Sequence, residues 1–549
     1  MAKKFDKVTS LESLEAKLAE MREAQAIYSK FTQEQVDEIC KQAAMAADKA
    51  RIPLAKMANA ETGMGVVEDK VIKNNYASEH IFNYFRHMKT CGVISEDKAF
   101  GTKRIAEPVG IVGAVTPTTN PTSTAIFKIL ICLKTRNAIL LSPHPTAKKC
   151  TIEAARIMRE AAEKAGLPEN IICWMDESSI EMTQMMMREV NLIMATGGAG
   201  MVKAAYSSGT PAIGVGPGNC NVIFDDTCDI DHAVASTIHS KTFDNGMICA
   251  AEQHVTVLDS IYDQVKKKFQ ESRCYFLTKE EAAKVGEVFF NSATHGVKAT
   301  AVGRPATKLA EMAGIKVPAD TKVLIAETDD TSHDNAWANE KLCPVLGMYH
   351  AKDFPQAMDI CYKLVTEGGA GHSAAMYVNP NEREKINAFG LRMKAGRVII
   401  NMPTTFGGLG DLYNFDTAPS LTLGPGTFGG SSFMGQTNVM QLLNIKTVAE
   451  RRENMLWLRL PEKVYFKKGC APVALKELRD EYNCKRAFII TDATLFELGM
   501  CDNAIKQLEE MGIATSAFYN IRVDPQIQDA MKGMAAMNEF KPDVIIAIG

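Results

Sequence analysis

Phe243-Asp-Asn-Gly-Met-Ile-Cys-Ala-Ala-Glu-Gln253 runs on into Val255-Thr-Val-Leu258, and the rest of the chain is organised around this junction. Val255-Thr-Val-Leu258 is apolar and β-branched, the pattern of a buried strand. Asn245-Gly246 ahead of it is a turn signal. Cys249 therefore lies where a loop enters the core. The chain has 14 cysteines, so a thiol by itself says little; most are expected to be small buried hydrophobes. Cys249 stands out by its context, a small, polar, Gly-containing approach followed by a strand.

Upstream, from about residue 105, short apolar strands alternate with helices. Val109-Gly-Ile-Val-Gly-Ala-Val115, Ala138-Ile-Leu-Leu141, Ile171-Ile-Cys-Trp174 and Val190-Asn-Leu-Ile-Met194 are the strands. A helical run over 146–166 between them stops at Gly-Leu-Pro. This alternation predicts an α/β fold, a parallel sheet with helices on both faces and ligands at the C-terminal strand ends. The first strand ends in Thr116-Pro-Thr-Thr-Asn120-Pro, a rigid non-helical loop suited to presenting an amide. The second ends in Ser142-Pro-His144-Pro. Ala195-Thr-Gly197-Gly198-Ala-Gly200 follows the fourth strand, where glycines let backbone N–H groups and a helix N-terminus approach a phosphate. It is not a GxGxxG fingerprint.

The first ninety residues read as helical. Thr9-Ser-Leu-Glu12 and Thr32-Gln-Glu-Gln35 have capping-box spacing, and breaks are expected at Pro53 and Gly63-Met-Gly65. These helices are read as scaffold without chemistry. Downstream of Cys249 a second α/β unit is expected to about residue 400. It contains Glu340-Lys-Leu-Cys-Pro-Val345 and Gly368-Gly-Ala-Gly-His372-Ser. A Gly-rich, aromatic loop over 403–430 suggests a substrate-side element with a β-ribbon for dimerisation. The charged stretch over 446–454 reads as a linker. Beyond it, Arg486-Ala-Phe-Ile-Ile-Thr-Asp492, a helical stretch over 495–511 around a break at Gly499, and Val544-Ile-Ile-Ala-Ile-Gly549 form a β-α-β succession.

Bulk properties narrow the function classes. The 549 residues suffice for roughly three or four structural domains. A net charge of −3 predicts neither a nucleic-acid footprint nor a basic membrane face. Met1-Ala-Lys-Lys-Phe-Asp-Lys lacks the apolar core of a signal peptide, and no apolar run is long enough to span a bilayer. The cysteines are scattered without a CxxC pair, so a reducing, cytoplasmic setting is expected and no metal cluster.

The 243–253 segment resembles the nucleophile motif of the aldehyde dehydrogenase superfamily, in its CoA-acylating branch. The resemblance implies a Rossmann-like NAD domain over about 1–240, a catalytic domain over about 241–410, and an oligomerisation ribbon over about 411–440. It implies that the Cys249 thiolate adds to an aldehyde carbonyl, giving a thiohemiacetal that loses hydride to NAD. Asn120 then matches the oxyanion donor. Thr116, Gly197, Gly198, Gly200, Gly216 and Gly218 fall in the NAD site, His144 beside the adenosine ribose, and Glu340 at the nicotinamide ribose. His372 either orients the thioester or CoA, or satisfies a loop. Hydrolytic relatives carry Glu-Leu-Gly-Gly-Lys where this chain has Gly214-Val-Gly-Pro-Gly-Asn219, which places Val215 where their water-activating glutamate stands. Valine is no general base, so a thioester would persist until the thiol of CoA, the co-substrate, removes it.

After a linker over 441–459, residues 460–549 resemble the start of an iron-dependent alcohol dehydrogenase, with Asp492 matching an acid that binds an NAD ribose. The Gly-Gly-Gly-Ser loop and Asp/His iron site of that family are absent, so Fe²⁺ chemistry is expected only from a further part. The whole resembles the bifunctional aldehyde-alcohol dehydrogenases of ethanol fermentation. That implies reversible conversion of acetyl-CoA to acetaldehyde in the cytoplasm by a homo-oligomer, whose full-length relatives form helical filaments. The rival readings are a hydrolytic aldehyde or semialdehyde dehydrogenase and a structural filament subunit.

Overall fold

Capping decides where the N-terminal helices begin. In the computed structural model, which describes residues 7–410, 412–413, 415–423, 427–430, 436–451 and 463–549, Leu11–Tyr28 is capped by Ser10 rather than Thr9. The Ser10 Oγ accepts from the Ser13 N–H at 3.2 Å, and the Ser13 Oγ accepts from the Ser10 N–H at 2.9 Å. Gln33–Lys49 carries the expected Thr32/Gln35 box. The next break falls at Ala50, ahead of Pro53. Arg51–Thr62 takes Pro53 into its first turn, where a missing N–H costs little, and ends on Gly63 at φ 64°. Val67–Asn75 follows.

The first body runs through Arg451. Its five-stranded parallel sheet has the spatial order Ile172–Trp174, Ala138–Pro143, Ile111–Thr116, Leu192–Thr196, Ala212–Val215. Every residue of the crossover helix Pro121–Lys134 is buried, and truncating Ile126 or Leu130 to alanine there costs about 2–5 kcal/mol. Inside that helix, Lys128 donates to the carbonyls of Val115 at 2.7 Å and Met194 at 2.9 Å. It thereby ties two adjacent strand ends together, and burial pulls its pKa down to about 7.

A seven-stranded sheet forms the second layer. Its order is Cys274–Phe276, Val323–Glu327, Val345–Ala351, Glu252–Leu258, Cys220–Phe224, Gly371–Tyr377, Ala395–Ile400, and its neighbours pair in parallel. Cys220–Phe224 and the helix Ile230–Thr242 belong to this layer, so the division between the two α/β layers falls near residue 217 instead of 240. A further expectation is corrected. Leu443–Ala449, within the expected linker, pairs antiparallel with Thr102–Pro108, which also pairs with Gly92–Asp97. The charged run that gives the stretch its linker composition begins only at Glu450, after the strand, and pairing through the backbone leaves little mark on composition. The described residues of 411–440 are turns and short 3₁₀ segments, and 411, 414, 424–426 and 431–435 lie outside the described residues, as do 452–459 of the linker.

The second body holds a parallel sheet in the order Ala514–Phe518, Arg486–Ile490, Val544–Ala547; the last two are the strands read from the sequence, and Ala514–Phe518 is an addition to them. Among the described residues no helix is long and apolar enough to cross a membrane.

Candidate active site

Asn120 sits at the N-cap of Pro121–Lys134, beyond the all-buried strand Ile111–Thr116. Asparagine in that place usually caps its helix. Here the side chain makes no capping bond. Its Oδ1 accepts from Lys73 Nζ at 2.6 Å, and its Nδ2 donates to Thr119 Oγ1 at 3.1 Å. One amide N–H therefore remains for another acceptor.

The nucleophile loop is built by a sharp turn. Asp244, Asn245 and Gly246 take φ values of 48°, 52° and 72°, conformations that Asp, Asn and Gly tolerate best. Cys249 follows, half-buried, ahead of the wholly buried strand Glu252–Leu258. Gly218 backs it closely: a methyl group on Gly218 would lie 2.0 Å from the Cys249 carbonyl oxygen. The Gly218 N–H donates to Glu340 Oε1 at 2.8 Å. Burial pushes the Cys249 thiol up to about 12, with the charge of Glu340 adding to the rise. Burial likewise raises Glu340 to about 7, against the pull of the Gly218 N–H and of Lys241 and Lys341.

These loops meet around one cavity of about 410 Å³. Thr116, Asn120, His144, Gly197, Gly198, Gly216, Cys249 and Glu340 all line it, and Val215 shares the wall. Gly200 lies just inside the helix Ala199–Tyr206, and Gly218 behind Cys249. His372 is buried next to Gly218. Among the described residues neither of its ring nitrogens has a partner, and burial, helped by the charge of Arg397, holds its pKa down to about 4. Asp492 lies in the second body, where it caps Ala493–Glu497 by accepting from the Leu495 N–H at 3.0 Å.

A second, largely apolar cavity of about 200 Å³ shares Val115, Thr116, His144 and Met201 with the first, and adds Ile180 and Met187. Sequence reasoning missed those two; their only local signal is the amphipathic helix Ile180–Glu189. The pair of cavities fits a dinucleotide. A Cβ on Gly198, Gly200 or Gly216 would meet open space. The hydroxyls of Thr116 and Thr196, at the ends of neighbouring strands, are buried without partners among the described residues.

Comparison with known proteins identifies the family. The aldehyde dehydrogenase family profile matches residues 7–410, nearly the whole first body. The chain belongs to the aldehyde dehydrogenase family. The profile of the iron-containing alcohol dehydrogenases matches residues 461–549. The bifunctional aldehyde-alcohol dehydrogenase AdhE of Escherichia coli is 51% identical over 545 residues, covering 99% of this chain and 61% of that protein. The chain thus spans about three fifths of that relative's length. Its organisation is AdhE-like, an aldehyde dehydrogenase of the acylating type followed by the start of an iron-containing alcohol dehydrogenase part.

Solved structures within the family extend the comparison. An acetylating aldehyde dehydrogenase from Geobacillus thermoglucosidasius is 42% identical with a TM-score of 0.78, covering 81% of this chain and 98% of that one. A propionaldehyde dehydrogenase from Rhodopseudomonas palustris, solved with bound CoA and an acylated cysteine, is 25% identical with a TM-score of 0.70, covering 80% and 97%.

Proposed function

We propose that this chain catalyses the reversible, NAD-dependent, CoA-acylating oxidation of acetaldehyde to acetyl-CoA, by way of a thioester on Cys249. The overall balance is aldehyde, CoA thiol and NAD⁺ to acyl-CoA, NADH and a proton. Cys249 Sγ adds to the carbonyl carbon as its thiol proton leaves, the one proton of that balance, and the free N–H of Asn120 Nδ2 donates to the oxygen that gains charge. NAD, when bound along Thr116, His144, the 197–200 turn, Gly216 and Glu340, supplies the hydride acceptor. The CoA thiol then attacks the thioester, its proton passing to the departing Cys249 Sγ, while His372, neutral and buried next to Gly218, orients the thioester or CoA.

One observation carries the choice of acyl transfer over hydrolysis. Val215 faces the cavity that Cys249 lines, where an isopropyl group neither polarises nor deprotonates water. Glu340 is the sole carboxylate among the cavity's described lining residues, and its Oε1 is held by the Gly218 N–H. The test follows NADH with acetaldehyde, with and without CoA. About one NADH per site, then near-arrest until CoA is added, is the expected course. Rapid CoA-independent formation of free acetate by the unmodified chain refutes it in favour of a hydrolytic enzyme. A homo-oligomer built through the Gly92–Asp97, Thr102–Pro108, Leu443–Ala449 sheet is part of the same reading, since the Gly92–Asp97 edge is unpaired among the described residues.

A further inference from the structure

We propose that Lys73 is the positioning residue that fixes the amide of Asn120 for oxyanion binding and couples it, through Asp244, to the loop bearing Cys249. The inference rests on the reading of Cys249 and Asn120 just given, and adds a residue from a helix that the sequence marks only as scaffold.

Lys70 and Lys73 stand one turn apart on one face of Val67–Asn75. Both are buried, at 3% and 4% exposure, and both reach Asp244, which is wholly buried. Lys70 Nζ lies 3.0 Å from Asp244 Oδ2, and Lys73 Nζ bonds the same oxygen. The other oxygen, Oδ1, accepts from the Val66 N–H at 2.7 Å, and the Asp244 N–H donates to Asp69 Oδ2 at 2.7 Å. The turn that leads to Cys249 is therefore held on both sides of the Asp244 peptide by the segment 66–73.

Lys70 alone would neutralise Asp244. The second ammonium does something more, because a further N–H of Lys73 goes to Asn120 Oδ1. An ammonium has three donors and no acceptor, so the atom of Asn120 facing it has to be the carbonyl oxygen. Turning the amide over would set an NH₂ group against a buried cation. Nδ2 is thereby pinned on the opposite side, where it meets Thr119 Oγ1 and keeps one N–H for the cavity. Drawing electron density toward Oδ1 also makes that N–H a stronger donor. Two parts of the reaction centre, contributed by different sheets, thus hang from one ammonium group.

The test compares Lys73→Arg and Lys73→Met, each alone and combined with Asn120→Ala, reading the steady-state kcat with CoA, the rate of the NADH burst, and KM for NAD. Arginine keeps the positive charge beside Asp244 but is longer and planar, and does not reproduce a single donor at the same point. A role in charge balance alone predicts wild-type kcat for Lys73→Arg. Positioning predicts a loss of about tenfold or more in burst rate and kcat for both variants, with KM for NAD unchanged. In the Asn120→Ala background the same Lys73 changes are expected to cost at least about threefold less, because the arm that acts through the amide is gone and only the one through Asp244 remains. Wild-type kcat in Lys73→Arg, or an undiminished loss in the Asn120→Ala background, overturns the proposal. If Lys73→Met does not fold, the Lys73→Arg cycle decides alone. Absence of CoA-dependent turnover in the unmodified chain is a separate result, and strikes the functional reading rather than Lys73.

Discussion

Gly218→Ala tests the packing behind the nucleophile with a single methyl group. The Gly218 φ is not left-handed, so alanine brings no backbone strain and the effect is one of contact. The new Cβ would lie 2.0 Å from the Cys249 carbonyl oxygen and 3.0 Å from its carbon. Carbon and oxygen essentially never approach closer than about 3.0 Å, so one peptide must give way by about 1 Å. The obstructing atom is backbone, with no rotamer to swing aside. A 1 Å displacement of a reacting group costs on the order of 10²-fold in rate, or about 2.7 kcal/mol on the barrier. Overpacking of this kind removes roughly 1–3 kcal/mol of stability as well. The measurements are the NADH burst rate, the rate of iodoacetamide labelling of Cys249, and a thermal melt to confirm folding. Gly216→Ala is the control, since a Cβ there meets nothing within 4 Å. It is expected to raise KM for NAD and leave Cys249 labelling alone. A folded Gly218→Ala enzyme with wild-type burst rate refutes the argument that this contact sets the thiol's place.

Three other outcomes are expected. Val215→Glu places a carboxylate on the cavity wall and should raise CoA-independent acetate formation by about 10²-fold; an unchanged hydrolytic rate, measured by acetate release, removes Val215 from the account. His372→Ala should leave the NADH burst intact while CoA-dependent turnover falls by about 10²-fold, so loss of the burst itself in stopped-flow would reassign His372 to the first step. Glu340→Gln removes a negative charge that holds the Cys249 thiol up, so iodoacetamide should label that cysteine faster above pH 7. Because Glu340 itself titrates near 7, the variant and the parent should converge below about pH 6, and an equal difference at every pH contradicts the coupling.

Much of this site was legible in the sequence because parallel α/β sheets gather function at the C-terminal ends of their strands. Once the strands around Val112, Leu140 and Ile193 are read from their apolar runs, Asn120, His144 and Gly197 fall at one end of one sheet. The contribution of Val67–Asn75 was not legible. A lysine on an amphipathic helix reads as a solvated face, and the partner that buries Lys73 lies 171 residues away. Periodicity reports how a segment meets its surroundings on average, never which distant side chain it meets. His372 and Gly218 could be tied to the site only by resemblance, for their relation is a close approach between the strand Gly371–Tyr377 and the segment that leads into Cys220–Phe224. Leu443–Ala449 escaped for the opposite reason: its pairing is carried by backbone groups, and most of its side chains are exposed beside the charged run that follows.

The buried ions beside the Cys249 loop are poorly explained as a source of stability. Lys70, Lys73 and Asp244 have all left water, and the mutual attraction of such groups often fails to exceed the desolvation they suffer. A well-packed apolar trio would hold the helix to the loop at least as firmly. It could not distinguish the two ends of an amide, and it could not require Asp244 to adopt the left-handed turn in which its N–H meets Asp69 and its carboxylate meets Val66. Directional bonds impose both conditions. The first sheet delivers Asn120 and the second delivers Cys249, so neither sheet's own register determines the distance between them. A donor array anchored on a third element, and bonded to both loops, supplies that missing constraint.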